Sequence, residues 1–461
     1  MSSVATSVEP VTDGKPVMEL EGKNIMVLGL ARTGLAVARF VTRRGATVVG
    51  VDARAAGQME QARAELAPLP AVCHFGAENP AWLDGVDAVV PSPGVPRDNP
   101  LLVEAARRGM EVLSEIELAA RFASMPLAAV TGTNGKTTTT SLLAAMLEAA
   151  GLRVFAGGNI GKPFIDHVDE DWDWGVVEVS SFQLEWVREF RPRVALFLNL
   201  SEDHLDRYDG LESYGAAKAR IFAAQQPGDV AVLNRDDPWV WGLRRRLSAG
   251  VVSFGWSEVD AGAFVAGDGI VWRGGGAEER LPLRDLRLLG VHNVENVMAA
   301  LCAARAAGAG ARAVATAARR FPGIEHRLEL VRELDGARYY NDSKGTNVGA
   351  VEKSLASFDA PVVLIAGGVH KGGSYDTLAP LVRERVRKLI LLGASAPLMR
   401  KALGASADTV VVNDLPAAVC VARAAARPGD VVLLSPACSS FDMFENYAER
   451  GRAFKELVQA L

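Results

Sequence analysis

Residues 126–151, PLAAVTGTNGKTTTTSLLAAMLEAAG, pass from a short apolar run through a glycine-containing turn into an alanine- and leucine-rich segment. That is the pattern of a buried strand, a loop and a helix. Glycines in TGTNGKT (131–137) let the backbone wrap close to phosphate groups, and the helix N-terminus adds amide donors and a favourable dipole. In such a loop Lys136 reaches the β- and γ-phosphates and the Thr137 hydroxyl holds Mg²⁺. The full GxxxxGK[ST] pattern would need glycine at Val130, so this is a shortened variant. A turn that merely contains Gly-Lys is the competing reading, and the strand–loop–helix context disfavours it.

The same alternation extends to both sides. NIMVLGL (24–30) is a continuous apolar run, as a doubly buried parallel strand should be. TGLAVARFVTRRG reads as an amphipathic helix closed by Gly45, and TVVGVDA (47–53) and DAVVPSPG (87–94) as further strands. WGVVEVS (174–180) and RVALFLNL (193–200) flank the central loop's strand, and VVSFGWSE through VWRGGGAEERLPL reads as a small subsheet. Residues 292–320 are Ala/Arg-rich and helical; PVVLIAGG (361–368), RKLILLGAS (387–395) and DVVLLSPACSS (430–440) are strands ending in small-residue loops. The expected class is α/β with parallel sheets and ligands at the carboxyl ends of the strands. We divide the chain into a disordered leader (1–21) and domains at 22–114, 115–323 and 324–461.

Composition bounds the partners. Lys+Arg total 50 against 55 Asp+Glu, a formal charge of −5, which disfavours a nucleic-acid backbone but not a small anion met by local positive charge. Cys73, Cys302, Cys420 and Cys438 show no CxxC spacing, so neither a zinc site nor a disulfide framework is indicated, and a cytoplasmic location is expected. No apolar run is long enough for membrane insertion.

Other residues are ambiguous alone. GLARTG (29–34) lacks the central glycine of GxGxxG, with Ala31 in its place, which counts against NAD; Asp52 lies near where a ribose-binding acid would sit. Glu178 ends a strand and is either a Mg²⁺ ligand or a satisfied polar residue. NLSEDHLDRY (199–208) gathers acids around His204, which alone would more often be structural, and Lys218 in YGAAKARIF alone reads as a surface lysine.

Taken in chain order, TGTNGKT, GGNIG (157–161), EVSSFQLE (178–185), NLSEDHLDRY, AAKARIF (216–222), HNVENVMAA (292–300), HRLEL (326–330) and NDSKGTN (341–347) follow one family over nearly the whole chain. The sequence resembles the Mur ligases, ATP-dependent amide-forming enzymes of peptidoglycan precursor synthesis. The Gly29–Gly34 loop, SPG (92–94), NDSKGTN and SPACSSFDMFENYAERG (435–451) most resemble members that add D-glutamate to UDP-N-acetylmuramoyl-L-alanine.

The resemblance implies a Rossmann-like UDP-binding domain, a P-loop ATPase-type central domain and a Rossmann-like amino-acid-binding domain. It implies that Arg32, Thr33, Asp52, Arg54, Gly94 and Asn159 hold the UDP-linked substrate. ATP falls to Thr131, Gly132, Thr133, Asn134, Gly135, Lys136, Thr137 and Thr138, with Asn293 and Asn296 near adenine and Arg327 and Asp342 near ribose and phosphates. Thr137, Glu178, His204 and Lys218 belong to two Mg²⁺ sites, with Lys136, His204 and Lys218 catalytic. Lys344, Thr346, Lys371, Ser440 and Tyr447 hold D-glutamate. An ammonium beside Mg²⁺ would be repelled by roughly a few kcal/mol; the resemblance resolves this, because family members carry a carbamylated lysine at the position of Lys218. A monomer is expected. Two departures stand out: GGVHK (367–371) replaces a GGDGK-like stretch, changing the residues at Val369 and His370, and Tyr447 stands where phenylalanine is expected.

The implied chemistry is phosphorylation of the L-alanine carboxylate by ATP, attack of the D-glutamate amine on the acyl phosphate, and loss of phosphate. The rivals are a superfamily ligase for another amino acid or for folate, a nucleotide-dependent dehydrogenase, and a non-catalytic nucleotide-binding module.

Overall fold

The computed structural model describes residues 18–204, 207–288, 290–370 and 374–461. Lys371 and the greater part of the expected leader therefore lie outside the described residues. The chain divides into two compact units, Met1–Asp285 with Glu295–Arg320, and Leu286–Val294 with Phe321–Leu461. The first two expected domains fall in the first unit except for residues 286–294 and 321–323, which belong to the second.

In the first unit, β1 (Asn24–Leu28), β2 (Thr47–Asp52), β3 (Ala71–Phe75), β4 (Ala88–Pro91) and β5 (Glu111–Val112) form a parallel sheet in the order β3-β2-β1-β4-β5. The strand order reverses between β1 and β4, where a doubly wound sheet opens a crevice at its carboxyl edge. Ile25 to Leu28 are all buried, so the apolar run of β1 reflects helices on both faces. The helix Arg32–Thr42 buries Leu35, Val37, Phe40 and Val41 against this sheet.

The central sheet has nine strands: β6 (Leu127–Thr131), β7 (Val154–Gly158), β8 (Trp174–Glu178), β9 (Val194–Phe197), β10 (Val230–Asn234), β11 (Gly250–Gly255), β12 (Gly262–Ala266), β13 (Gly269–Gly274) and β14 (Ala277–Pro282). Their order is β14-β13-β12-β11-β10-β9-β6-β8-β7. The stretch read as a small subsheet is instead the continuation of this sheet. β11 pairs in parallel with β10, and an antiparallel meander, β12 to β14, extends the edge. The tight glycine turns at Gly267 and Gly275–Gly276 allow antiparallel neighbours without a crossover helix. The helix Lys136–Ala149 follows β6 and buries Thr138, Thr139, Thr140 and Leu142, so packing overrides the weak helix propensity of four successive threonines.

In the second unit the order is β15-β16-β20-β17-β18-β19, from β15 (Glu329–Leu334), β16 (Ala337–Asn341), β17 (Val362–Gly367), β18 (Val386–Leu392), β19 (Asp408–Val411) and β20 (Val431–Leu434). All neighbours are parallel except β15 and β16. β16, β20 and β17 lie side by side, so their carboxyl-end loops share one edge.

Candidate active site

A cavity of about 560 Å³ opens at the carboxyl ends of β1 and β4, lined among others by Arg32, Thr33, Asp52, Arg54, Gly94 and Asn159. All six residues expected at the UDP-linked substrate thus share one wall. Asp52 is buried and accepts from the Leu30 amide at 2.8 Å and from Arg54 Nε and Nη2 at 2.9 and 2.8 Å. Burial alone would raise its carboxyl, but these bonds outweigh it and hold the carboxyl at about 2. The result is a fixed anion with an oriented guanidinium, suited to polar groups and phosphate. Gly34 brings the helix start against the loop: a Cβ there would sit 2.0 Å from the Gly29 carbonyl oxygen.

Gly158, Asn159 and Gln183 carry the same cavity into the central domain. Asn159 Nδ2 donates to Glu178 Oε1 at 2.9 Å, and Thr137 Oγ1 donates to Glu178 Oε2 at 2.9 Å. One buried carboxylate therefore joins the cavity wall to the phosphate loop.

The loop itself is held by its neighbours. Gly132 and Gly135 have φ of +153° and +84°, and a Cβ on Gly135 would meet Asn296 Oδ1 at 2.2 Å. Asn296 also accepts from Thr139 Oγ1 at 3.2 Å. The Thr133 amide donates to the Asn199 carbonyl and the Asn134 amide to Asn199 Oδ1, both at 2.9 Å. Thr131 Oγ1 donates to the Val179 carbonyl at 2.9 Å, and Thr138 is buried.

Two lysines converge on this loop. Lys136 Nζ donates to the Gly132 and Thr133 carbonyls at 2.9 and 3.0 Å, and Lys218 Nζ donates to the same Gly132 oxygen at 2.9 Å. Lys218 is 1% exposed and lies 4.4 Å from the Tyr214 ring centroid. Burial, reinforced by the positive charge of Lys136, lowers its ammonium to about 6 against the pull of Asp203 and Glu178. The surface-lysine reading is thereby corrected, because the helix Leu211–Ala219 turns this residue inward beside Tyr214 and Ala217.

His204 has φ +54°, a left-handed conformation costly for a non-glycine residue. Its carbonyl accepts from the Arg207 and Tyr208 amides at 3.0 and 3.2 Å, and its ring lies edge-on to Phe182 and Tyr214 at 4.8 and 6.0 Å. The Thr137 hydroxyl and the Glu178 carboxylate offer hard oxygen donors, and Glu178 is met by neutral hydrogen-bond donors from Thr137 and Asn159, so this buried anion fits a Mg²⁺ ion.

In the second unit, Asp342 is buried and accepts from Ser354 and Ser435 hydroxyls, each at 2.6 Å; burial raises its carboxyl to about 6 against these bonds. The Asn293 amide donates to the Gly290 carbonyl at 3.0 Å, and the Arg327 amide to Ile324 at 3.1 Å. Lys344 Nζ lies 5.8 Å from the Tyr447 ring, Thr346 follows in the same loop, and Ser440 is buried after β20. Val369 pairs with Ser439 through mutual backbone bonds of 2.9 and 3.0 Å, and His370 Nδ1 shares a 2.8 Å hydrogen bond with the Tyr375 hydroxyl.

The Mur ligase middle domain profile matches residues 130–304, the MurD-like N-terminal domain profile 23–114, and the Mur ligase glutamate ligase domain profile 326–438. The chain belongs to the Mur ligase family. It is 51% identical over 447 residues to a Geobacter metallireducens protein named UDP-N-acetylmuramoylalanine–D-glutamate ligase, covering 96% of this chain and 99% of that one. The protein of the same name from Geotalea uraniireducens is 50% identical over 448 residues, with the same coverage. The solved structure of UDP-N-acetylmuramate–alanine ligase from Thermotoga maritima shares the fold, with a TM-score of 0.59 at 20% identity over 95% of this chain and 99% of that chain.

Sequence reasoning missed several residues of this candidate site in the Mur ligase chain. Gln183 lines the cavity, and its signal lay inside the quoted EVSSFQLE motif. Tyr214 packs on Lys218, its ring centroid 4.4 Å from Nζ. Arg207 ties two regions together: Nη2 meets Glu185 Oε2 at 2.6 Å, Nη1 donates to the Pro93 carbonyl at 3.2 Å, and its guanidinium stacks on Phe182.

Proposed function

We propose that this Mur ligase adds D-glutamate to UDP-N-acetylmuramoyl-L-alanine in peptidoglycan precursor synthesis, consuming ATP through an acyl phosphate. The reading is carried by Glu178, whose carboxylate bonds both to Asn159 on the cavity wall and to Thr137 of the phosphate loop. That link supports a reading in which a substrate in the cavity meets the end of a nucleotide held by the loop.

Arg32, Thr33, Asp52, Arg54, Gly94 and Asn159 hold the UDP-linked substrate. The loop Thr131–Thr138 holds the ATP phosphates; Asn293 and Asn296 are assigned to adenine, and Arg327 and Asp342 to ribose and phosphates. A substrate carboxylate oxygen attacks the γ-phosphorus, ADP leaves, and the D-glutamate amine then attacks the acyl carbon, expelling phosphate. Two anions must approach in the first step, and Lys136 supplies positive charge where the phosphoryl group moves. Thr137, Glu178, His204 and a carbamylated Lys218 would hold Mg²⁺, which when bound neutralises phosphate charge. A buried lysine lowered to about 6 is largely neutral at pH 7, and the neutral amine is the form that adds to CO₂. Lys344, Thr346, Lys371, Ser440 and Tyr447 meet the amino acid, whose carboxylates call for two cations and hydroxyl donors. Among the described residues no helix is long and apolar enough to cross a membrane; we place the reaction in the cytoplasm, with the enzyme a monomer.

The test is phosphate release from ATP in the presence of UDP-N-acetylmuramoyl-L-alanine, with D-glutamate, L-alanine or diaminopimelate offered separately. Release with D-glutamate alone is expected. Release with another amino acid and none with D-glutamate overturns the assignment.

A further inference from the structure

Arg450 lies on the helix Tyr447–Gln459 and is 2% exposed. Burying a guanidinium is costly unless its donors are met. Its Nε donates to Ser343 Oγ at 2.9 Å, and Nη2 donates to the Ser343 carbonyl at 2.9 Å and the Cys438 carbonyl at 3.2 Å. Nη1 points to the Gly367 carbonyl at 3.5 Å. These acceptors belong to three different segments, those that leave the adjacent strands β16, β20 and β17.

Each segment leads to a residue proposed for the amino acid. Ser343 precedes Lys344, Cys438 stands two positions before Ser440, and Gly367 opens the GGVHK stretch. Gly368 leaves the guanidinium its room, since a Cβ there would come within 3.2 Å of Nη1 and 2.1 Å of the Ser439 carbonyl oxygen. The Ser343 hydroxyl, which accepts from Nε, donates onward to the Tyr447 carbonyl at 2.8 Å and so closes the loop back to the helix.

We infer that Arg450 is a positioning residue for the amino-acid pocket: its planar fork sets the spacing of the three loops that carry the pocket. The acceptors on its fork are hydroxyl and carbonyl oxygens, and nearby Asp442 favours its charge. Burial lowers the guanidinium to about 10, so it stays charged at neutral pH. The inference rests on the proposed function, because it takes the three loops to hold D-glutamate.

The experiment is steady-state kinetics of wild type, R450K, R450M and Ser343→Ala, with each of the three substrates varied in turn and folding checked by circular dichroism. For R450M the KM for D-glutamate is expected to rise by about tenfold or more, with KM for ATP and for the UDP-linked substrate changed less than about twofold. R450K keeps the charge without the fork and falls between, and Ser343→Ala, which removes one acceptor, raises the same KM by roughly threefold. Should R450M fail to fold, R450K and Ser343→Ala decide: no selective rise in either overturns the role. Equal rises in all three KM values also overturn it, since general loosening has no reason to single out one substrate. A wild type that releases no phosphate with D-glutamate overturns the proposed function and this inference together, whereas an active wild type with an unchanged R450M overturns only the role of Arg450.

Discussion

Lys218 and Lys136 both donate to the Gly132 oxygen, an arrangement two full ammonium groups resist. The conflict is relieved because burial lowers Lys218 to about 6, and the proposed carbamylation would remove it by turning a second cation into an anion. Lys218→Ala should therefore lose ligation by at least about a hundredfold, and acetate should restore part of it. Growth of the wild type on ¹³C-bicarbonate should give a carbamate carbon signal missing from the variant; full activity in Lys218→Ala would refute the modification. Asp52 poses the opposite case, a carboxyl held at about 2 by Arg54 and the Leu30 amide despite burial. Asp52→Asn should raise KM for the UDP-linked substrate by about tenfold, or ~1.4 kcal/mol, leaving KM for ATP and D-glutamate alone. A depressed carboxyl contributes above its unfolded value of 3.8 and is lost only as pH falls toward 2, so this effect should be flat from about pH 5 to 9.

At the scale of the element, the strand–loop–helix around the phosphate loop is a geometric demand on Gly135. Its φ of +84° disfavours any side chain, and a Cβ would lie 2.2 Å from Asn296 Oδ1. Gly135→Ala should cost ~1–2 kcal/mol of local conformational energy and push Asn296 aside. We expect KM for ATP to rise by about tenfold, measured beside an unaffected KM for D-glutamate; an unchanged KM would mean the loop is free to re-form. This element was legible because chemistry and conformation coincide there: the residues proposed to bind phosphate are the residues that permit the turn. β1 was legible because a doubly buried strand must be apolar throughout. The edge meander was read as separate because Gly262–Ala266 and Gly269–Gly274 pair like any hairpin, and nothing in them says that β12 also joins β11. Arg450 was illegible for another reason. Its partners Ser343, Cys438 and Gly367 lie at other places in the chain, and only the sheet order brings them together. Tyr214 differs: it stands four residues before Lys218 on one helix, a spacing the sequence does show.

Among the described residues, each unit buries a carboxyl whose ionisation opposes folding. In the first unit, burial raises Glu115 to about 7 from 4.5, against amide bonds from Ile165 and Phe164. In the second, burial raises Asp342 to about 6 from 3.8, against the Ser354 and Ser435 hydroxyls. For an acid raised on folding, the native state holds its proton more tightly than the unfolded chain does. Stability from each group is therefore complete below the unfolded value and lost as pH climbs through the folded one, between 4.5 and about 7 for Glu115 and between 3.8 and about 6 for Asp342. The ceiling is roughly 3 kcal/mol apiece. Glu115→Gln mimics the protonated side chain at every pH, so it should melt with the wild type near pH 4 and about 2–4 °C above it near pH 8. Melting curves across that range decide the matter: a difference independent of pH would show that Glu115 stays ionised in the folded chain, held by the Ile165 amide at 2.8 Å rather than neutralised by its burial.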